Sequence, residues 1–238
     1  MLKLRKSDDR GRGQMDWLQS WFTFSFDQYR DPAHMHWSVL RVINEDIIAP
    51  GMGFGMHQHR DMEIISFVIS GALRHQDSLG NTGILRPGEI QRMTAGSGIT
   101  HSEFNPDTKT PTHMLQIWIM PSEKDRAPSW DQINWRALST QPNQMRLLAS
   151  PDGRHSSCAI GQDLTLWHGD LAAGQTITIS LKPDRKGWLQ IAEGKMEIQT
   201  SGQSPVQCAA GDGVAVSGES SVTIKAKDAV SLLWFDMP

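Results

Sequence analysis

The sequence predicts an all-β chain, folded as two tandem β-barrels joined by a short helical linker region. Three observations predict it. Apolar residues fall in short alternating or continuous runs rather than at helical spacing; Gly, Pro, Asn and Asp separate those runs; and one set of glycines recurs at a fixed interval.

The predicted strands include Ser38–Ile43, Glu63–Ile69, His113–Met120, Gln175–Leu181, Trp188–Ala192, Lys195–Thr200, Ser221–Ala226 and Ala229–Asp236. Hairpin turns are expected at Leu79-Gly80-Asn81-Thr82 and Thr200-Ser201-Gly202-Gln203, because Gly and Asn accept the positive φ of tight turns. The best helical segment is Ser129–Leu138, with Ser129 as its cap.

The glycine interval supports duplication. At a common offset of 123 residues, Gly51 falls on Gly174, Gly71 on Gly194 and Gly88 on Gly211. Such a period is the mark of a repeated unit. With 238 residues, each half is long enough, at about 110 residues, to bury a core of its own. The expected organisation is one barrel over residues 1–125, a linker over 126–145, and a second barrel over 146–238.

Composition narrows the function. A net charge of −3 offers no electrostatic basis for direct binding of nucleic acid. The basic run Lys3, Arg5, Lys6, Arg10 and Arg12 is broken by Asp8 and Asp9 and reads as a solvated face. No apolar run approaches the roughly 18–20 residues that cross a bilayer, and MLKLRKSDDRGRG has no secretory core. Cys158 and Cys208 form neither a disulfide framework nor a CxxC pair. They read as small core residues in a cytoplasmic protein, expected to be a monomer.

The chemistry sits in two short segments. In GMGFGMHQHRDME, residues two apart share a strand face, so His57, His59, Asp61 and Glu63 project together if alternation holds. The segment His101-Ser102-Glu103 repeats the period-two spacing after Gly96-Ser97-Gly98. Together they offer three imidazoles and one carboxylate, with either Glu63 or Glu103 supplying the last. Such a set suits Fe(II) or another transition metal and leaves coordination positions open. The other HxH, His34-Met35-His36, reads as a loop, His75 and His113 as hydrogen-bonded strand residues, and His155 and His168 as isolated. The aromatic group Trp17, Trp21, Phe22, Phe24 and Phe26, with Trp37 and Phe54, serves either as packing or as the wall of a pocket for a flat substrate.

These segments resemble the cupin motifs. Gly51, His57, His59, Glu63 and Gly71 follow the first, with one extra residue before the last glycine, and Gly98, His101 and Asn105 follow the end of the second. HQHRDMEI and GITHSEFNP, with WLQSWFTFSFDQYRDP and LRVINEDIIAPG, resemble the pirin family of bicupins in particular. The resemblance covers residues 1–121 and is weaker beyond. It implies jelly-roll barrels and places the ligand role on His57, His59, His101 and Glu103, with Glu63 beside them orienting an imidazole or a water. It also implies that Glu103 or Glu63 acts as catalytic base. At the offset, His57, His59, Glu63, His101 and Glu103 become Ser180, Lys182, Lys186, Ile224 and Ala226, so the second barrel is expected to hold no metal. The implied function is a metal-dependent dioxygenase that cleaves quercetin or a related flavonol with O2. Iron(II) is the first-choice metal, and nickel, manganese, copper and zinc are also compatible with the donors. The family's other implied role is a metal-binding, redox-sensitive regulator with a protein partner.

Overall fold

A computed structural model of the protein describes residues 1–138 and 142–238. In chain order the first elements are β1 (Leu2–Arg5), β2 (Gly11–Met15), β3 (Leu18–Phe22), β4 (Leu40–Ile48), β5 (Gly53–Ser70), β6 (Leu73–Asp77), β7 (Thr82–Leu85), β8 (Glu89–Phe104), β9 (Thr112–Ile119), β10 (Ser129–Asn134) and the single-turn helix α1 (Trp135–Leu138). They are followed by β11 (Met145–Ser150), β12 (Cys158–Ala159), β13 (Thr165–Leu171), β14 (Thr176–Ser180), β15 (Lys186–Glu193), β16 (Lys195–Gln199), β17 (Val206–Ala209), β18 (Gly213–Ser217), β19 (Ser221–Ala226) and β20 (Val230–Met237). The chain is all-β with two cupin units, as the sequence predicts.

The first compact unit comprises Gly11–Leu138 and Pro151–Gln162. Its sheet runs β2-β3-β4-β9-β5-β8-β6-β7, with β10 on β8. The centre of this sheet is built by β5 and β8, 18 and 16 residues long. Each strand changes character along its length. Outer residues of β5 alternate between half-buried and exposed, whereas Glu63 to Val68 are buried on both faces. Ile64, Ile65, Phe67 and Val68 anchor that inner half. Small aliphatic clusters lie around it, one of Leu18, Ile48, Val68, Leu73, Leu85 and Met114, another of Ile64, Met93, Ala95 and Ile99.

The second unit comprises Met1–Arg10, Asp163–Pro238 and the stretch that ends at Ser150. Its strands follow the order β1-β18-β15-β20-β13-β11 in one sheet and β14-β19-β16-β17 in the other. A large cluster forms a core in this unit, including Leu189, Ile191, Met196, Ile198, Val222, Ile224, Leu232 and Trp234.

The glycine repeat has a structural basis. All six glycines adopt positive φ, in matched pairs: +70° and +80° at Gly51 and Gly174, +80° and +86° at Gly71 and Gly194, +94° and +83° at Gly88 and Gly211. Gly71 and Gly194 share a second constraint. An added Cβ would stand 2.6 Å from the Pro111 carbonyl oxygen in the first and 2.1 Å from that of Ala229 in the second. Strand register repeats as well, since Glu63 pairs with Thr94 and, at the same offset, Lys186 with Ser217. Further out the offset slips. His57 faces His101, but Ser180 faces Ser221 rather than Ile224. Neither alignment yields a ligand-type side chain, because β14 carries only Thr, Ile and Ser.

Several expectations need correction. Met1–Arg10 belongs to the second unit, where β1 pairs with β18. Arg5 and Arg10 are accordingly buried rather than solvated, with Arg10 donating to the Ser7 hydroxyl at 2.7 Å and Lys6 paired with Asp212 at 3.2 Å. The expected helix Ser129–Leu138 is a strand as far as Asn134, and β10 aligns along β8 from Ser129↔Thr94 to Asn134↔Glu89. Only Trp135–Leu138 is helical. The run SWDQIN is short and carries no helical period, so the unpaired edge of β8 wins it. That edge takes over Ser129–Asn134 of the expected linker 126–145, and residues 139–141 of that linker lie outside the described residues.

Candidate metal centre

The outer half of β5 presents His57 and His59, and β8 presents His101 directly opposite His57. The three rings form a close triangle, with centroids 4.8 Å apart for His57–His59, 4.5 Å for His57–His101 and 4.9 Å for His59–His101. Among the described residues, two groups have ligand atoms that all lie within 4.8 Å of one another: His57, His59 and His101; and His75, His101 and Glu103. The four residues read from sequence are thus gathered in two overlapping triads that share His101.

Hydrogen bonds orient this set. His57 Nδ1 bonds to the Gly55 carbonyl oxygen at 2.8 Å, which makes Nδ1 the donor and leaves Nε2 as the free lone pair. Asp77 Oδ2 lies 3.3 Å from His75 Nε2, and His75 Nδ1 lies 3.4 Å from His101 Nδ1. His101 is 1% exposed, and its Nε2 is buried without a partner. A buried nitrogen with an unused lone pair is costly unless something binds it. Glu103 is buried too; Ser66 Oγ donates to its Oε1 at 3.0 Å, and Gln116 Nε2 to its Oε2 at 2.8 Å.

Burial and neighbouring rings keep His59 and His101 neutral. Burial, then the neighbouring rings of His57 and His75, push His101 down to about 3, against the pull of Asp77. Burial, His101 and His57 push His59 down to about 4, against Glu103. Neutral imidazoles and a carboxylate are the protonation states that bind a cation. The donors therefore fit a divalent transition ion, and the orphaned His101 Nε2 is the strongest single sign of that fit.

Glu63 departs from the expectation. The register shifts between His59 and Asp61, where Asp61 has φ +65° and Gly96 and Gly98 on β8 have +49° and +135°. This β-bulge ends the simple alternation that would have aligned Glu63 with the histidines. Glu63 instead accepts from Thr94 Oγ1 at 2.9 Å, with Arg92 and Arg126 nearby, and an added Cβ on Gly161 would stand 2.5 Å from its Oε1. Burial raises its pKa, against Thr94, Arg92, Gly161 and Arg126. It does not line the cavity that the histidines open into.

That cavity, about 510 Å³, is lined by His57, His59 and Glu103 on one side and by Phe22, Phe26, Phe54 and Trp118 among its apolar walls. Trp118 stands edge-on to His59 at 4.9 Å and to Phe26 at 5.4 Å. Of the aromatic group read from sequence, Phe22, Phe26 and Phe54 face the cavity, while Phe24 is core. Burial, then repulsion by Glu103 and Glu45, raises Asp46 on the same wall to about 7, although the Ser20 hydrogen bond opposes the rise.

Sequence reasoning missed Ser66, Gln116 and Trp118, which hold or flank the site. Their only sequence signal is period-two placement on β5 and β9, visible once the register Ser66↔Gln116 is known. The histidines set aside behave as read, except for His75. His34 bonds to Asp31 at 2.7 Å, His36 to the Ser38 carbonyl at 2.9 Å, His113 to Glu45 at 2.8 Å and His168 to Ser231 at 2.9 Å. His75 is hydrogen-bonded as expected but also belongs to the second triad.

Fold and site together define a bicupin whose first unit carries a candidate metal centre. Residues 4–119 match the Pirin family and residues 147–237 the quercetinase C-terminal cupin domain, so the chain belongs to the pirin family. It is 40% identical over 238 residues to the quercetin 2,3-dioxygenase of Escherichia coli K12, covering 100% of this chain and 99% of the relative. It is 37% identical over 236 residues to a pirin-like protein of Caulobacter vibrioides, covering 99% of each. The crystal structure of the bacterial pirin YhhW from Escherichia coli in complex with nickel(II) superposes with a TM-score of 0.93 at 39% identity, covering 100% of this chain and 99% of that one.

Proposed function

We propose that this protein is a metal-dependent dioxygenase that opens a flavonol-like ring with O2, with His57, His59, His101 and Glu103 holding the ion. One observation carries the reading: His57, His59 and Glu103 line a cavity of about 510 Å³ with apolar walls, and His101 stands beside them with a buried, unpartnered Nε2. Relatives at 40% identity named quercetin 2,3-dioxygenase support it. We take iron(II) as the native ion; the nickel-bound relative and the donor chemistry keep nickel in the test. A bound ion supplies Lewis acidity toward an enolic oxygen and a place for O2.

The chain's own groups do the rest. Phe22, Phe54 and Trp118 enclose a flat ring and exclude water. Glu103 lines the cavity and is the carboxylate positioned to accept the substrate hydroxyl proton, which makes it the base in place of Glu63. Ser66 and Gln116 fix its orientation through 3.0 Å and 2.8 Å hydrogen bonds. Asp77, through His75, steadies the His101 ring. Both cysteines are free and buried, and burial pushes each thiol up to about 12, with Asp131 adding to the rise at Cys158 and Asp212 at Cys208. Such inert thiols suit work in the cytoplasm.

The test is reconstitution. Metal-stripped protein is reloaded with Fe(II), Ni(II), Cu(II) or Mn(II) and given quercetin, and loss of visible absorbance is followed with oxygen uptake. Matched consumption of flavonol and oxygen is the expected result. Metal binding without turnover for every ion would overturn the enzyme and favour the regulator.

A further inference from the structure

Strand β4, in the same sheet as the metal-binding strands, brings to the cavity polar groups that the dioxygenase reading leaves unused. Asn44 and Asp46 sit two apart on β4 and share its cavity face. Each is 4% exposed. Asn44 Oδ1 is buried with no hydrogen-bond partner. Ser20, opposite Asp46 across the β3–β4 pair, donates its hydroxyl to Asp46 Oδ1 at 2.5 Å, and Oδ2 is the oxygen left open among the described residues. Ser20 lines the cavity as well.

A buried amide without a partner is kept in native proteins only where something satisfies it. A half-turn of the Asn44 carboxamide exchanges donor and acceptor, so either end can meet a hydroxyl. The surrounding wall is aromatic, with Phe22 and Phe26 beside these groups. An apolar slot with a few polar atoms at one end is the pattern that orients a flat ligand bearing hydroxyls. Spacing supports the same ligand. Asn44 pairs with Gln116 on β9, and Gln116 with Ser66 on β5, the residue that holds Glu103. At about 4.8 Å per strand β4 lies about 10 Å along the sheet from that point, which suits a ring system that meets the ion at one end and β4 at the other.

We infer that Asn44 and Asp46, with Ser20 as the group that positions Asp46, read hydroxyls on the part of the substrate remote from the metal. They thereby select polyhydroxylated aromatics over bare ones. This rests on the flavonol reading of the same cavity. Glu103 decides whether a ligand reacts; the β4 pair decides which ligand enters.

The test uses metal-loaded protein and three flavonols that differ only in the pendant ring: galangin with no hydroxyl there, kaempferol with one, quercetin with two. The wild-type protein should favour quercetin over galangin in kcat/KM by about tenfold or more, because a site built to bond a hydroxyl penalises its absence. Asn44→Leu and Asp46→Ala should each bring that ratio to within about twofold, through KM, with metal content unchanged. A wild-type ratio near one, or a ratio that survives in both variants, overturns the inference. Asn44→Ala replaces any variant that fails to fold. Dissociation constants measured by fluorescence quenching on zinc-loaded protein without oxygen separate the two readings. Discrimination that appears in binding and vanishes in Asn44→Leu upholds the β4 pair even if no metal supports turnover; absence of flavonol binding by the wild type ends it.

Discussion

The two cupin units share a scaffold and differ in what fills it. Their turn glycines carry matching φ values, and the inner strand pairs keep the same register. In the second unit a large aliphatic cluster forms a core, and Ile177 and Ile179 of β14 pack against it. In the first unit a cavity lined by His57, His59 and Glu103 opens beside Leu18 and Phe54, which belong to or pack on an aliphatic cluster. The comparison teaches that the framework is specified by glycines and inner-strand aliphatics, while chemistry depends on a few side chains at the strands' outer ends. One topology can therefore carry an aliphatic core at one copy of a position and a donor-lined cavity at the other.

The largest test of this contrast is removal of the shared ligand. His101→Ala should take the first unit from about one bound ion per chain to none while the fold persists, read by metal analysis and circular dichroism. Asp77→Ala, acting through His75, should weaken metal binding by about 10–100-fold, as expected when the group that orients a ligand is lost. Retained metal in His101→Ala would mean that the ion sits elsewhere.

The next effect is pH-dependent and belongs to the first unit. Asp46 is raised from 3.8 to about 7 in the folded chain, so between those values the native state binds the extra proton. Its contribution is fully present below about pH 4 and is lost as pH rises through 7. The limit is on the order of 4 kcal/mol for a shift of that size. Asp46→Asn should flatten this fall, so the variant gains on the wild type as pH rises from 4 to 8 in urea titrations. Parallel curves for the two proteins would contradict the assignment.

The second unit predicts ordinary core behaviour. Ile224 is fully buried, and Ile224→Ala should cost about 2–5 kcal/mol of stability with no change in bound metal. A loss of metal would show that the units are coupled. The smallest effect concerns the matched turns. Gly51 and Gly174 have φ of +70° and +80° and nothing within 4 Å of an added Cβ. Alanine at either should cost only the left-handed backbone penalty, about 1–2 kcal/mol, and nearly the same at both. A large difference would break the equivalence of the turns.

Much of this was legible in the sequence because it rests on local rules. Ser221–Ala226 is a strand over the predicted residues, and the turns at Gly80 and Gly202 fall where glycine is needed. The three histidines meet because period two holds as far as His59. It stops at the bulge beyond, which is why Glu63 was misplaced beside them. Non-local pairing was the other blind spot. Nothing in SWDQIN announces that β8 has an open edge, and nothing in Leu2–Arg5 that its partner lies more than two hundred residues away. Trp118 and Gln116 look like ordinary strand residues until β9 is set between β4 and β5.

The length of β5 has one more consequence. Its buried inner half is clamped between β8 and β9, and the histidine-bearing outer half is a rigid overhang of that clamp. Ligands carried on such an overhang keep their places whether or not an ion has arrived, so exchange of one metal for another demands no refolding. The same cantilever lets mutation strip the ligands from a copy without disturbing its foundations, the condition in which β14 and β15 stand, cut apart by a turn and built over with isoleucine.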